Sequence, residues 1–163
     1  MGKSSFINAI ANEKNLAKCS KTPGRTQLFN IFSLDKNKRI IDLPGYGFAK
    51  ASKNKQAAWQ HNLQTYLSQR VCLKGILLVT DIRRGLRQID QDIIHWAQEQ
   101  QMDILIILNK ADKLSKNEIQ KAESSLQRQY MIASDQYVVC SCTKKTGISD
   151  ALEKIKYWLR EDL

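Results

Sequence analysis

The chain has 163 residues, 42% of them hydrophobic, with 26 Lys and Arg against 16 Asp and Glu, a formal charge of +10 and a pI near 9.5. That length can bury one good core but not two ordinary ones, no apolar run approaches the ~20 residues of a membrane span, and Met1-Gly2-Lys3-Ser4 lacks the charged-then-apolar build of a signal peptide. One compact cytoplasmic domain without a membrane partner is expected, its basic surface being either a polyanion-binding face or a merely solvated one.

A short helix starts at Phe6, Ile7 and Ile10, directly after Gly2-Lys3-Ser4-Ser5, and a polar, basic loop follows to about Arg25. Residues 28–34 and 39–42 read as an antiparallel hairpin turned by Asp35-Lys36-Asn37-Lys38. Trp59, Leu63, Tyr66 and Leu67 line one helical face, residues 76–80 form a buried strand, and Ile89, Ile93, Trp96 and Ala97 line the next helix. The alternation continues with a buried strand at 104–108, a helix marked by Ile119, Ala122 and Leu126, a strand at 137–140, and a last helix through Ile148, Leu152, Ile155 and Leu159. Strands that are apolar throughout and alternate with helices imply a parallel sheet covered on both faces. Ligands of such sheets bind at the carboxyl ends of the strands. Cys19, Cys72, Cys140 and Cys142 lack CxxC spacing and are expected as buried free thiols, and His61 and His95 as ordinary helix residues.

Gly2-Lys3-Ser4 opening a helix is the second half of a phosphate loop, in which helix N–H groups meet phosphate, the Lys ammonium bridges β- and γ-phosphates, and the Ser hydroxyl ligates Mg²⁺. By itself it is a common tripeptide. Asp42-Leu43-Pro44-Gly45 follows a strand, so that Asp42 can hold Mg²⁺ through a water and Gly45 can bring its N–H close to a γ-phosphate; taken alone, a plain Pro-Gly turn explains it as well or better. Asn109-Lys110-Ala111-Asp112 at the end of the 104–108 strand is the decisive feature. A carboxylate there accepts from guanine N1–H and the 2-amino group together, whereas adenine offers an acceptor at N1 and no 2-amino donor, a difference of ~10⁴-fold in favourable sites. The Lys110 stem can pack on the purine and Asn109 can tie this loop to the phosphate loop; the alternative is a helix cap at Asp112 with a solvated lysine. Ser141-Cys142-Thr143 lies where a last loop can offer a backbone N–H to guanine O6, and Thr26 is either a second Mg²⁺ ligand or the first residue of a strand. Jointly, in this order, the four signals point to a GTPase.

The chain resembles the EngB family of bacterial GTPases from Gly2 to its C-terminus, in Lys21-Thr22-Pro23-Gly24-Arg25-Thr26-Gln27, Asp42-Leu43-Pro44-Gly45-Tyr46-Gly47, Asp81-Ile82-Arg83 and Ser141-Cys142-Thr143-Lys144-Lys145-Thr146-Gly147. The resemblance implies a Ras-like P-loop GTPase fold of three layers, with a mostly parallel sheet between helices. It also implies Ser4 and Thr26 as Mg²⁺ ligands, with Gly24, Arg25, Thr26, Gln27, Leu28, Asp42, Leu43, Pro44 and Gly45 facing the phosphates. Lys3, Thr26 and Gly45 then act on the γ-phosphate, Asn109, Lys110, Ala111 and Asp112 hold guanine, and Cys140, Ser141 and Cys142 close over the base. Cys142 stands where the family commonly has a second small Ser, and Met1 stands in the middle of the phosphate loop, so that a chain without the family's first, central strand and with weakened GTP binding is expected. The implied activity is slow, Mg²⁺-dependent GTP hydrolysis by a monomer, since Tyr46 replaces the Gln that orients water in many GTPases. Its implied setting is large ribosomal subunit assembly, cell division and septation, with Lys36, Lys38, Arg39, Lys50, Lys53 and Lys55 toward ribosomal RNA. Two other readings are an RNA- or ribosome-binding module with impaired nucleotide binding, and the G domain of a larger tRNA-modifying or ribosome-biogenesis GTPase.

Overall fold

The computed structural model describes residues 2–13, 16–17, 30–43 and 65–160. In chain order its elements are α1 (Lys3–Ala11), β1 (Asn30–Ser33), β2 (Arg39–Asp42), β3 (Ile76–Asp81), α2 (Gln88–Glu99), β4 (Ile104–Asn109), a 3₁₀ turn (Ala111–Lys113), α3 (Lys116–Tyr130), β5 (Tyr137–Val139) and α4 (Ile148–Trp158). They belong to two compact units, Met1–Ala17 with Lys74–Leu163, and Lys18–Leu73.

In the first unit, β3, β4 and β5 pair in that order as a parallel sheet. Asp81 lies beside Asn109 and Leu108 beside Val139, which brings the three carboxyl ends level. Every residue of β4 is buried, as a middle strand covered on both faces requires. Alternate side chains face opposite ways. Leu105 and Ile107 join Phe6, Val79, Val138, Cys140, Ile148, Ala151 and Ile155 in one apolar core with α1 and α4. Ile104, Ile106 and Leu108 point to the other face and are equally buried, and α2 and α3 bury Ile94, Ala97 and Leu126.

Side chains set the starts of α2 and α3, whereas α1 and α4 start at the left-handed glycines Gly2 and Gly147. Ser115 Oγ accepts from the Glu118 N–H at 3.4 Å while the Glu118 carboxylate accepts the Ser115 N–H at 2.8 Å, a capping box that opens α3. In α2 the buried line is Asp90, Ile94 and Ala97, with Ile89, Ile93 and Trp96 half-buried. The expected line omitted Asp90 and Ile94. Asp90 turns inward because its carboxylate accepts the Arg87 N–H at 2.9 Å and pairs with the Arg87 guanidinium at 3.3 Å, and this rotates the inward face of the helix onto Ile94.

In the second unit, β1 and β2 form the expected antiparallel hairpin, with Asn30 beside Asp42 and Ser33 beside Arg39. Its turn is an Asx turn: Asp35 Oδ1 accepts the N–H groups of Asn37 and Lys38, each at 2.8 Å, and the Leu34 N–H reaches the Lys38 carbonyl at 2.9 Å. Residues 65–68 are helical, with Leu67 buried; Trp59 and Leu63 lie outside the described residues. Among the described residues no ladder joins β2 to β3, so the hairpin and the parallel sheet are separate sheets there. Within the same residues, no helix is long and apolar enough to cross a membrane.

Candidate functional site

The end of β4 is tied by several polar contacts to the loop after β5. Asn109 is buried, and its Oδ1 accepts the Lys110 N–H at 2.7 Å and the Cys142 N–H at 3.2 Å, joining the β4 loop to the loop after β5. The chain then reverses through Lys110, whose backbone is left-handed (φ 70°), into the 3₁₀ turn. Ala111 donates its N–H to the Cys140 carbonyl at 3.1 Å. Asp112 Oδ1 accepts from the Ser141 hydroxyl at 2.6 Å, and its Oδ2 lies 3.2 Å from Lys113 Nζ. These contacts, the Ser141 hydroxyl first, hold the Asp112 carboxyl below its usual range, so it is an ionised acceptor at neutral pH.

The loop after β5 is shaped to serve this acceptor. Ser141 and Thr146 exchange backbone hydrogen bonds at 3.0 and 3.2 Å, and the Ser141 Oγ that donates to Asp112 also accepts the Lys144 N–H at 3.1 Å. The loop can close only because Gly147 takes φ 69°, where a Cβ would also run into the Val139 carbonyl oxygen.

Gly2 meets the same loop from the start of the chain. With φ 102°, a Cβ on it would stand 2.6 Å from Asn109 Nδ2, and 4.0 Å from Lys110 Cε. Helical hydrogen bonding in α1 begins with the Phe6 N–H donating to the Gly2 carbonyl at 2.8 Å, so the ladder does not use the N–H groups of the first turn, where Lys3 and Ser4 sit half-buried.

Beside them, Asp81 ends β3 and is buried. Its Oδ2 pairs with Lys110 Nζ at 2.8 Å and Arg83 Nη2 at 2.7 Å, while Oδ1 accepts from Arg83 Nε at 2.8 Å. The Arg83 guanidinium, with the Lys110 ammonium behind it, holds the Asp81 carboxyl far below the usual carboxylate range against the opposing effect of burial.

A family profile described as "50S ribosome-binding GTPase" matches residues 1–110. A probable GTP-binding protein EngB of Klebsiella pneumoniae subsp. pneumoniae is 42% identical over 163 residues, covering 98% of this chain and 77% of that protein. The chain belongs to the EngB family. In fold it matches the crystal structure of a probable GTP-binding protein engB, with a TM-score of 0.77 at 21% identity over 99% of this chain and 94% of the other. It also matches Era in complex with MgGDPNP and 16S ribosomal RNA nucleotides, with a TM-score of 0.73 at 18% identity over 99% of this chain and 54% of the other. The architecture is thus the Ras-like P-loop GTPase fold with a parallel sheet.

Of the residues assigned from the EngB resemblance, Gly2, Asn109, Lys110, Ala111, Asp112, Cys140, Ser141 and Cys142 come together at the carboxyl ends of β4 and β5, with Lys3 and Ser4 following in α1. Asp42 and Leu43 lie at the end of β2 in the other unit, Asp42 buried and 3.5 Å from Asn30 Nδ2. Gly24, Arg25, Thr26, Gln27, Leu28, Pro44, Gly45 and Tyr46 lie outside the described residues, as does Cys19. Cys72, Cys140 and Cys142 are free thiols, but of the three only Cys140 is buried as expected: Cys142 is half-buried, and Cys72 is exposed because it lies in a turn before β3. The Cys142 N–H, one of the loop N–H groups expected to meet guanine O6, is donated to Asn109 Oδ1 at 3.2 Å. Sequence reasoning gave no role to Gly147 or to the Asp81 and Arg83 pair. The signals were a glycine directly before a helix, and an acid ending a buried strand two residues before an arginine.

Proposed function

We propose that the chain is a single G domain that binds GTP and GDP with Mg²⁺, hydrolyses GTP slowly, and acts as a monomeric cytoplasmic switch on the large ribosomal subunit during its assembly, with cell division and septation depending on it. The observation that carries the nucleotide reading is the Asp112 carboxylate, ionised and aimed by the 2.6 Å bond from Ser141, at a strand end that also holds Asn109 against Gly2. Two parallel acceptors suit the N1–H and 2-amino donors of guanine and mismatch adenine. Gly2, Lys3 and the first turn of α1 are suited to the β-phosphate, and Gly24, Arg25, Thr26, Gln27, Leu28, Asp42, Leu43, Pro44 and Gly45 to the γ side.

The donors fit a small hard cation: Ser4, Thr26 and, through water, Asp42 offer oxygen. Among the described residues no group of three or more His, Cys, Asp or Glu is placed to hold a metal ion, and a bound nucleotide would offer phosphate oxygens as further ligands. When bound, Mg²⁺ supplies neutralisation of phosphate charge. Support for the ribosomal partner comes from the family description, from the RNA carried by Era, and from the net charge of +10.

The test is a titration with GTP, GDP and ATP of wild-type and Asp112→Ala protein. Guanine nucleotides should bind, ATP should not, and the substitution should weaken GTP by roughly 10²-fold or more, the loss of two charge-assisted hydrogen bonds. Equal binding of ATP and GTP would falsify the reading. RNA binding without any nucleotide binding would favour the simple RNA-module alternative.

A further inference from the structure

We propose that Asp81 is a positioning residue for guanine recognition, fixing the Lys110 side chain against Gly2 so that its methylene stem is ready as a platform for the purine. The proposal rests on the reading that residues 109–112 hold guanine. Asp81 and Asn109 are register partners on β3 and β4, so the buried carboxylate stands next to the strand end from which the loop departs. Arg83 grips it from one side through Nε at 2.8 Å, Nη2 at 2.7 Å and the backbone N–H at 3.2 Å. A bidentate guanidinium restrains the rotation of the carboxylate it holds. The direction it offers to Lys110 Nζ, 2.8 Å away, is therefore set. The left-handed backbone of Lys110 launches the side chain, and next to the anchored Nζ its Cε would stand 4.0 Å from a Cβ placed on Gly2. The lysine is anchored at its head, with its side chain still 36% exposed.

An unanchored lysine loses rotamer freedom when a ligand packs on it, and here that ordering is already done. A purely structural ion pair would stabilise the fold without touching nucleotide affinity in this way. A double-mutant cycle separates the two. GDP affinity and dissociation rate are measured with a fluorescent GDP analogue for wild type, Asp81→Asn, Lys110→Met and the double variant, alongside melting temperatures. Asp81→Asn should weaken GDP by about tenfold, chiefly through faster dissociation, and should cause no further loss once Lys110 is Met. Losses that multiply in the double variant overturn the proposal, as does an Asp81→Asn protein that binds like wild type. Arg83→Gln leaves the Asp81 to Lys110 pair in place and should give a smaller loss that also vanishes in the Lys110→Met background. That second cycle decides the matter if Asp81→Asn does not fold. If wild type fails to bind GDP, or Asp112→Ala binds as tightly as wild type, the guanine reading itself is rejected and this proposal with it.

Discussion

Two carboxylates are held ionised beside each other's loops, Asp81 at the end of β3 by Arg83 and Lys110, and Asp112 in the turn after β4 by the Ser141 hydroxyl. Asp112 announces itself through Asn109-Lys110-Ala111-Asp112, because guanine recognition needs these residue types within one turn of chain. Asp81 acquires its part from Lys110, 29 residues further on, and no local pattern shows that contact. Its depressed pKa makes a stability prediction whose sign is determined. Arg83 and Lys110 favour the ionised form in the folded state, so the stabilisation is complete above the unfolded carboxyl value of ~3.9 and disappears as pH falls through the lower folded value. Asp81→Asn should therefore destabilise the protein by about 1–3 kcal/mol near pH 7. Urea denaturation of the two proteins at decreasing pH should show the difference shrinking below about pH 4; a constant difference down to acid pH would mean that charge is not the cause.

At the scale of elements, the loops after β4 and β5 work as one piece. Asn109 Oδ1 takes the Cys142 N–H, Ala111 donates to Cys140, and Ser141 aims Asp112, so a change in the shape of either loop moves the other. Gly147 is where that shape is most exposed to substitution. Gly147→Ala should cost about 2–4 kcal/mol, combining a left-handed alanine with overlap against the Val139 carbonyl. It should also weaken GTP binding, because a Cβ on residue 147 would stand 3.1 Å from Cys140 Cβ, in the loop proposed to close over the base. Unchanged melting temperature and GTP affinity in this variant would show that the loop adapts freely. The strands and helices themselves were legible because apolar period is local. The phase of α2 was not, since Asp90 is drawn inward by a cap and an ion pair that periodicity ignores.

For the whole molecule, the charge of +10 predicts that association with ribosomal RNA weakens steeply with salt. Charge-neutral substitution of Lys50, Lys53 and Lys55 should lower the slope of log affinity against log salt by about 2–3, close to 0.9 for each lost phosphate contact. An unchanged slope would mark these lysines as a solvated surface. In the hairpin, Lys38 is expected to contribute less than Lys36 or Arg39, because it pairs with Asp35 at 3.4 Å, whereas the Arg39 guanidinium donates only to the neutral carbonyls of Asp35, Lys36 and Lys38. By itself the sequence determined the strand and helix alternation, the chemical type of each loop and the EngB resemblance, all of which are written in short stretches of chain. Only the tertiary structure decided that Gly2 backs Asn109, that Ser141 orients Asp112 and that Asp81 anchors Lys110. Those contacts join residues far apart in sequence: the parallel register of the sheet brings the ends of β3, β4 and β5 level, and the packing of α1 on the same core brings Gly2 to Asn109.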